Sequence, residues 1–313
     1  MKSKWSLIGN NKVIEFLDLA IKNNNLANFY IFSGPSNLGK FLTAKDLALN
    51  IFNQERLDFE TLINQGDILI IEREAGKKDI SINQIRSLIS FFQLSSSPVV
   101  IIKDAENLNQ NSANALLKLL EEPKSQSLII LTVNNLNLIP GTIISRAQVL
   151  SFFPVKDDLI YQYLIKEKKV SPVLAKNLSR ISGGHPELAR YLLDNRSVYQ
   201  NYQDVAVAFI DFLGLNFSER CKIIEEGLKK ELPPSFNLLD IWELVWRDLV
   251  LLSFSQSDYI RHPFLLERLE KLIRESFLEN KIEEQSQVFS SARSLLETNL
   301  NLESVLEYLA INL

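Results

Sequence analysis

A glycine-rich segment that ends in lysine is the clearest candidate for chemistry in this chain of 313 residues. It fits the pattern G-x-x-x-x-G-K. Its residues are Gly34, Pro35, Ser36, Asn37, Leu38, Gly39 and Lys40. Glycines allow backbone N–H groups to turn inward around phosphate oxygens, and the lysine adds a full positive charge. The pattern predicts a phosphate-binding loop; the alternative is a glycine-rich turn with an incidental lysine.

The residue after this lysine argues against metal-dependent hydrolysis. Active phosphate loops of this type carry Ser or Thr there, because the hydroxyl binds Mg²⁺. This chain has Phe41, whose phenyl ring cannot coordinate a metal. Thr43 follows two residues later, about 200° round the predicted helix, and is poorly placed to substitute. Two alternatives stay open: a nucleotide that binds without its metal, and an empty loop.

Acidic residues after an apolar run form the second part of the candidate site. Asp104 follows the run at residues 98–102 and could hold Mg²⁺ through water. The next position carries a water-activating glutamate in an active ATPase, but here it is Ala105. Glu106 comes one residue later and points elsewhere if the extended conformation continues. The missing groups at Phe41 and Ala105 each predict a rate lower by orders of magnitude. The alternative role for Asp104 is that of a capping residue.

Apolar runs and helical patterns alternate along the first half of the chain and would position these residues. Strands are predicted at residues 29–32, 67–71, 98–102, 127–133 and 147–152. Helices are predicted at residues 40–52, after a Ser81 cap, and from Asn111 or Ser112 to a stop at Pro123. The helix that Ser81 caps has an apolar face made of Ile82, Ile85, Leu88, Ile89 and Phe92. Strands without polar alternation are buried on both faces, which predicts a parallel sheet covered by helices.

The second half of the chain has helical patterns throughout. Helices are predicted at residues 157–168, 172–181, 187–193, 238–254 and 263–278. This change of character predicts three domains. They are an α/β domain at 1–154, a small helical domain at 155–197 and an all-helical domain at 198–313.

Composition limits the classes of protein that the chain can represent. An apolar fraction of 46% and a charged fraction of 23% are ordinary for a soluble globular protein and exclude a disordered or collagen-like chain. The lone Cys221 excludes an internal disulfide and any Cys-x-x-Cys zinc site. No apolar run approaches 18 residues and the N-terminus is not a signal peptide, so we expect a cytoplasmic protein without a membrane helix.

Several segments together resemble one family. Residues 111–123, with the sequence NSANALLKLLEEP, resemble the helix signature of AAA+ clamp-loader subunits. Ser145-Arg146-Ala147 is similar to the serine–arginine–cysteine motif of that family, with alanine in place of the cysteine. The loop at 34–40, the segment at 80–86 and the acidic run at 104–106 follow in the family's order. The resemblance covers residues 1–190, and beyond them only the helical character is shared.

The resemblance implies both a fold and a set of site residues. The fold would be an AAA+ P-loop domain with a parallel sheet covered by helices, a small helical lid and an all-α C-terminal collar domain. Arg146, with Ser145, would act in trans as an arginine finger on the ATP of a neighbouring subunit. Asn134 matches the sensor position that faces a γ-phosphate. The alternatives are a surface arginine and a loop-capping asparagine.

Within the family, the best match is to subunits whose own nucleotide site is degraded. Phe41 and Ala105 replace catalytic groups, and Glu187 takes the place of a sensor arginine, so no ATPase activity of the chain's own is expected. The stretch at 50–67 contains no cysteine, so no zinc module is expected. No cofactor is required, and ATP binding by the degenerate loop stays open.

The resemblance also implies a hetero-oligomer. Its members would be the clamp-loader ATPase subunits and the delta subunit, acting on the sliding clamp and primer–template DNA and not on a membrane. Residues 1–199 carry 23 basic and 19 acidic residues, against 11 and 19 in residues 200–313. A basic part near DNA and an acidic collar would suit these partners. Two other interpretations stay open: an active AAA+ ATPase of the clamp-loader type, and an AAA+-like adaptor outside replication.

Overall fold

Two units make up the protein in a computed structural model, which describes residues 5–52, 58–95, 98–121, 127–275, 282–298 and 300–313. The units are Met1–Val155 and Lys156–Leu313. A further division near residue 198 stays a prediction. No helix among the described residues is long and apolar enough to cross a membrane.

The apolar runs of the first unit form one parallel sheet. Its strands are β1 (Phe29–Ser33), β2 (Ile68–Ile71), β3 (Val99–Ile102), β4 (Leu128–Val133) and β5 (Gln148–Ser151). The strand order is β2-β3-β4-β1-β5, and every neighbouring pair is parallel. The carboxyl ends of all five strands therefore share one edge. The predicted α/β fold class is confirmed.

Helices cover both faces of this sheet. They are α1 (Asn11–Lys22), α2 (Lys40–Phe52), α3 (Phe59–Asn64), α4 (Ile82–Leu94), α5 (Gln110–Glu121) and α6 (Gly141–Ile144). Ile31 of β1 packs with Ile85 and Leu116 on one face, whereas Phe32 packs with Leu47 on the other. Each such fully buried side chain contributes about 2 kcal/mol through burial.

The start of α4 is as the sequence predicts, whereas part of its predicted apolar face is exposed. Ser81 and Gln84 form a reciprocal capping box, which satisfies two backbone N–H groups at the helix start. Ile85, Leu88 and Phe92 are buried, whereas Ile89 is 49% exposed. Ile89 lies about 65° from the centre of the buried stripe, at 100° per residue, so the apolar face of α4 is wider than its buried part.

The helix α5 begins earlier than predicted. Asn109 caps it, since its side-chain oxygen accepts the backbone N–H of Ser112 at 2.9 Å. Ser112 is buried instead of capping, and its hydroxyl donates to the Ile80 carbonyl at 2.7 Å. The predicted start at Asn111 or Ser112 was therefore wrong by one or two residues. Pro123, the predicted stop, lies outside the described residues.

The described residues of the second unit are helical. The helices are α7 (Asp157–Lys166), α8 (Pro172–Ser182), α9 (Pro186–Asp194), α10 (Arg196–Phe212), α11 (Phe217–Leu228), α12 (Leu238–Ser253), α13 (Leu266–Glu275), α14 (Ile282–Glu297) and α15 (Leu302–Asn312). The helix predicted at 263–278 starts with a 3₁₀ turn at Pro263–Leu265, and its last three residues lie outside the described part.

A buried polar network fixes the turn after α12. The carboxylate of Asp248 accepts the backbone N–H groups of Arg261 and His262, at 2.9 and 2.8 Å. Nδ1 of His262 lies 2.7 Å from the same carboxylate, and Nε2 lies 2.9 Å from the hydroxyl of Tyr202. Burial raises the pKa of Tyr202, which keeps its hydroxyl neutral. His262 is thus committed to this internal network.

Candidate functional site

The glycine-rich loop lies between β1 and α2, at the carboxyl edge of the sheet. Gly34 has φ +146°, and a Cβ at this position would lie 2.3 Å from the carbonyl oxygen of Phe152. Gly39 has φ +87°, and a Cβ there would meet Leu7 at 2.6 Å. Both positions therefore require glycine for reasons of fold alone. The loop has the location that a phosphate-binding loop needs.

The ammonium group of Lys40 is bonded to oxygens of the protein itself. It donates to the carbonyls of Gly34 and Pro35, at 2.5 and 2.6 Å, and to Oδ1 of Asn134 at 3.0 Å. An ammonium group has three N–H donors, so these three oxygens match its full donor capacity. The side chain is buried, with 5% of its surface exposed. A nucleotide phosphate would have to displace these bonds to reach Lys40.

The acidic segment after β3 folds back toward this lysine. Asp104 has a left-handed backbone (φ 49°, ψ 56°), and Ala105–Asn107 form a 3₁₀ turn. Glu106 consequently accepts both the backbone N–H of Asn134, at 3.1 Å, and its side-chain amide, at 2.6 Å. Asp104 is exposed and lies 3.5 Å from the same amide. The extended conformation does not continue, so the condition under which Glu106 would point elsewhere is not met.

Two lysines lie beside Phe41, the residue that replaces the expected metal ligand. The ammonium groups of Lys45 and Lys103 lie 5.0 and 4.8 Å from the centre of the Phe41 ring, within the range of cation–π attraction. Lys103 also pairs with Glu72. The hydroxyl of Thr43 is not directed at Phe41; it donates to the Gly39 carbonyl at 2.8 Å. With no hydroxyl ligand and two nearby cations, these residues do not fit a Mg²⁺–nucleotide complex.

Ser145 and Arg146 lie at the opposite edge of the sheet. They follow α6 and precede β5, whose first residue Gln148 pairs with Tyr30. Gln148 is therefore four residue steps before the level of Gly34, or about 13 Å along the strands, and Arg146 lies in the turn that precedes it. The side chain of Arg146 is 38% exposed. Its Nη1 donates to the Thr142 carbonyl at 2.9 Å.

The Arg146 guanidinium also has a carboxylate partner. Its Nη2 lies 3.0 Å from Oε1 of Glu121, the last residue of α5. The hydroxyl of Ser145 donates to the Thr142 carbonyl at 3.1 Å, so this serine helps to close the turn before β5. Glu187 lies in the first turn of α9, in the second unit. The sequence interpretation missed Glu121 as a partner of Arg146, although Glu121 lies within the α5 signature.

The structure brings some predicted residues together and leaves others apart. Lys40, Asn134 and the Asp104 segment meet at the carboxyl edge, whereas Arg146 and Ser145 do not join them. Sequence reasoning also missed the positions of Lys45 and Lys103. Among the described residues, no group of three or more His, Cys, Asp or Glu side chains could hold a metal ion.

Comparisons with known proteins bear on this sheet and its motifs. Residues 9–156 match the family described as DNA polymerase III, delta subunit. The gamma/tau subunit of DNA polymerase III from Mycoplasma genitalium is 27% identical over 95% of this chain and 50% of its own length. The delta-prime subunit from Bacillus subtilis is 24% identical over 96% of this chain and 95% of its own. The Pseudomonas aeruginosa delta-prime subunit is 30% identical over 53% of this chain and 56% of its own length.

The chain thus spans about half of the gamma/tau relative but nearly all of the Bacillus subtilis delta-prime subunit. A gamma subunit-related protein of Thermotoga maritima overlaps 95% of this chain and 98% of its own, at 20% identity and a TM-score of 0.45, an overlap too loose to support an inference. The predicted resemblance to the AAA+ clamp-loader family is confirmed. Among its members, the chain resembles the delta-prime subunit of bacterial DNA polymerase III.

Proposed function

We propose that this chain is a non-hydrolysing delta-prime-type subunit of a DNA polymerase III clamp loader. In this role it supports the ATP-driven loading of a sliding clamp onto primed DNA during replication. It contributes Arg146 to the ATP site of a neighbouring ATPase subunit. It belongs to a holoenzyme whose polymerase activity resides in another subunit.

The bonding of Lys40 is the observation that carries the non-hydrolysing assignment. Three neutral protein oxygens accept bonds from its ammonium group, so a β/γ-phosphate would have to displace them to use its charge. Phe41 supplies no metal ligand, and the ammonium groups of Lys45 and Lys103 repel a divalent cation near its ring. Ala105 offers no base for the attacking water. The chain therefore needs neither ATP nor a metal of its own.

The position of Arg146 supports a role in trans. It is separated from its own loop by about the length of a strand, so it cannot serve that loop. Its guanidinium is partly exposed, always charged and able to form forked bonds with phosphate oxygens. In a neighbour's ATP site it would stabilise the charge that develops on the transferred phosphoryl group. Ser145 contributes by closing the turn that carries the arginine.

The proposed partners follow from the delta-prime resemblance and suit the distribution of charge. They are the clamp-loader ATPase subunits and the delta subunit, together with the sliding clamp and primer–template DNA. The mildly basic residues 1–199 suit the neighbourhood of DNA phosphates, and the acidic residues 200–313 suit a protein interface. The result is a hetero-oligomer in which this chain completes a site that it does not contain.

The decisive experiment measures DNA-stimulated ATP hydrolysis by the reconstituted clamp loader. Arg146→Ala should lower the rate by on the order of 10³-fold or more, the range that arginine fingers contribute. Gel filtration verifies that the variant still assembles. Arg86→Ala, which removes an exposed arginine of α4, is the matched control and should leave the rate unchanged. An unchanged rate in the assembled Arg146→Ala complex would contradict the finger assignment.

A second experiment tests the chain by itself. The isolated chain should hydrolyse no ATP in the presence of Mg²⁺. Measurable hydrolysis that disappears in Lys40→Ala would support the alternative, an active AAA+ ATPase. Failure of the wild-type chain to assemble with the ATPase and delta subunits would instead support an adaptor outside replication.

A further inference from the structure

The contact between Glu121 and Arg146 has a consequence for when the arginine can act. Nη2 of Arg146 lies 3.0 Å from Oε1 of Glu121, and Nη1 is bonded to the neutral carbonyl of Thr142. The carboxylate thus takes one outer nitrogen of the guanidinium, part of the edge that would face a phosphate. The acceptor at Thr142 is a neutral carbonyl, so this bond can persist when the arginine engages a phosphate.

The location of Glu121 gives this pair a meaning beyond helix stability. Glu121 lies in α5, and its carboxylate reaches the turn that carries Arg146. It is 55% exposed, and it forms an ion pair with the arginine across the surface of the first unit.

We infer that Glu121 holds Arg146 in an unengaged position and that this contact must open before the arginine acts in trans. This inference rests on the proposed function. A carboxylate within 3.0 Å of the guanidinium would come close to the neighbour's phosphates if the pair entered the site intact, and like charges would oppose that approach. The triphosphate of a neighbouring subunit carries more negative charge than one carboxylate and displaces it. Glu121 is thus a positioning residue that lowers the rate when engagement is weak.

The expected size of this effect is modest because both side chains are partly exposed. Solvent screens such a pair, so opening it shifts the population of free arginine by roughly fivefold at most. The effect should be largest without DNA, when the subunits engage least. It should shrink when primed DNA drives engagement.

The test uses the reconstituted clamp loader with ATPase rates measured without and with primed DNA. Glu121→Ala should raise the rate without DNA by roughly twofold to fivefold, and Glu121→Gln, which keeps an acceptor but no charge, should give a smaller rise. Glu15→Ala, which removes an exposed carboxylate of α1, should have no effect. An unchanged or lower rate in Glu121→Ala, with assembly intact, would overturn the inference.

A double variant, Glu121→Ala together with Arg146→Ala, separates this inference from the proposed function. In complexes that carry Arg146→Ala, the further change Glu121→Ala should not alter the residual rate, because the glutamate acts only through the arginine. A rise in that background would overturn the inference. If Arg146→Ala alone leaves the rate unchanged, the finger assignment itself fails. If Arg146→Ala lowers the rate but Glu121→Ala does not raise it, only the role of Glu121 fails.

Discussion

The basic residues at the two edges of the sheet lie in opposite environments, one buried and one at the surface. At the carboxyl edge, Lys40 is 5% exposed and is bonded to three oxygens of its own chain. At the amino edge, Arg146 is 38% exposed and has two surface contacts. The edge with the recognisable phosphate-loop sequence is thus closed on itself, whereas the edge with a short, inconspicuous motif is open to a partner. The glycines of this motif therefore serve the fold itself, through the backbone conformations and close contacts of Gly34 and Gly39.

The largest effect should come from the geometry of the open edge. Arg146→Lys keeps the positive charge but loses the planar fork that binds two phosphate oxygens at once. We expect DNA-stimulated ATP hydrolysis by the assembled clamp loader to fall by on the order of 10²-fold or more. Arg86→Lys serves as the control on α4. A rate close to wild type in Arg146→Lys would mean that charge alone suffices there.

The closed edge should respond to glycine substitution through stability. Gly34→Ala combines an unfavourable φ of +146° with a Cβ 2.3 Å from the Phe152 carbonyl, which belongs to backbone and cannot yield cheaply. We expect a loss of about 3 kcal/mol or more in the free energy of unfolding, measured by urea denaturation. Gly76→Ala is the matched control, since it has φ +77° and nothing within 4 Å. Equal losses in both variants would show that the close approach to Phe152 is unimportant.

The sequence predicts the closed edge better in outline than in detail. The helix predicted at 40–52 begins at Lys40 as expected and is helical through Phe52, the last described residue before a gap, because a glycine precedes it and its apolar residues recur at helical spacing. Strands β1 to β4 follow from largely apolar runs that a sheet covered on both faces can bury, whereas β5 lies at an edge and exposes Gln148 and Ser151. Such signals are local, so one sequence is enough to detect them.

The contacts of the site were not predictable in the same way. Glu106 reaches Asn134 only because Asp104 adopts a left-handed backbone, a conformation that Asp tolerates but its sequence does not require. The pairing of Arg146 with Glu121 joins residues 25 positions apart and depends on the packing of α5 beside the turn before β5. Local patterns contain no information about such distances.

A smaller effect should separate folding from catalysis at Lys40. Lys40→Met leaves the carbonyls of Gly34 and Pro35 and the Asn134 side chain without a donor. We expect the free energy of unfolding to fall by about 2 kcal/mol, while the ATPase rate of the assembled clamp loader stays within about twofold of wild type. Lys12→Met, which removes an exposed ammonium group of α1, is the control. A collapse of the rate in a stable, assembled Lys40→Met complex would make this loop a working nucleotide site.

The smallest effect should come from restoring the missing hydroxyl at the closed edge. Phe41→Thr returns a metal ligand, but Lys40 stays bonded to protein oxygens and Ala105 still provides no base. We therefore expect no Mg²⁺-dependent ATP hydrolysis by the isolated variant chain. Loss of the ring contacts to Lys45 and Lys103 should cost only about 1 kcal/mol of stability. Phe41→Leu is the control, since it removes the ring without adding a hydroxyl. Hydrolysis that appears in Phe41→Thr and not in Phe41→Leu would mean that this loop needs only its metal ligand, and the contrast between the two edges would then be a difference of one residue.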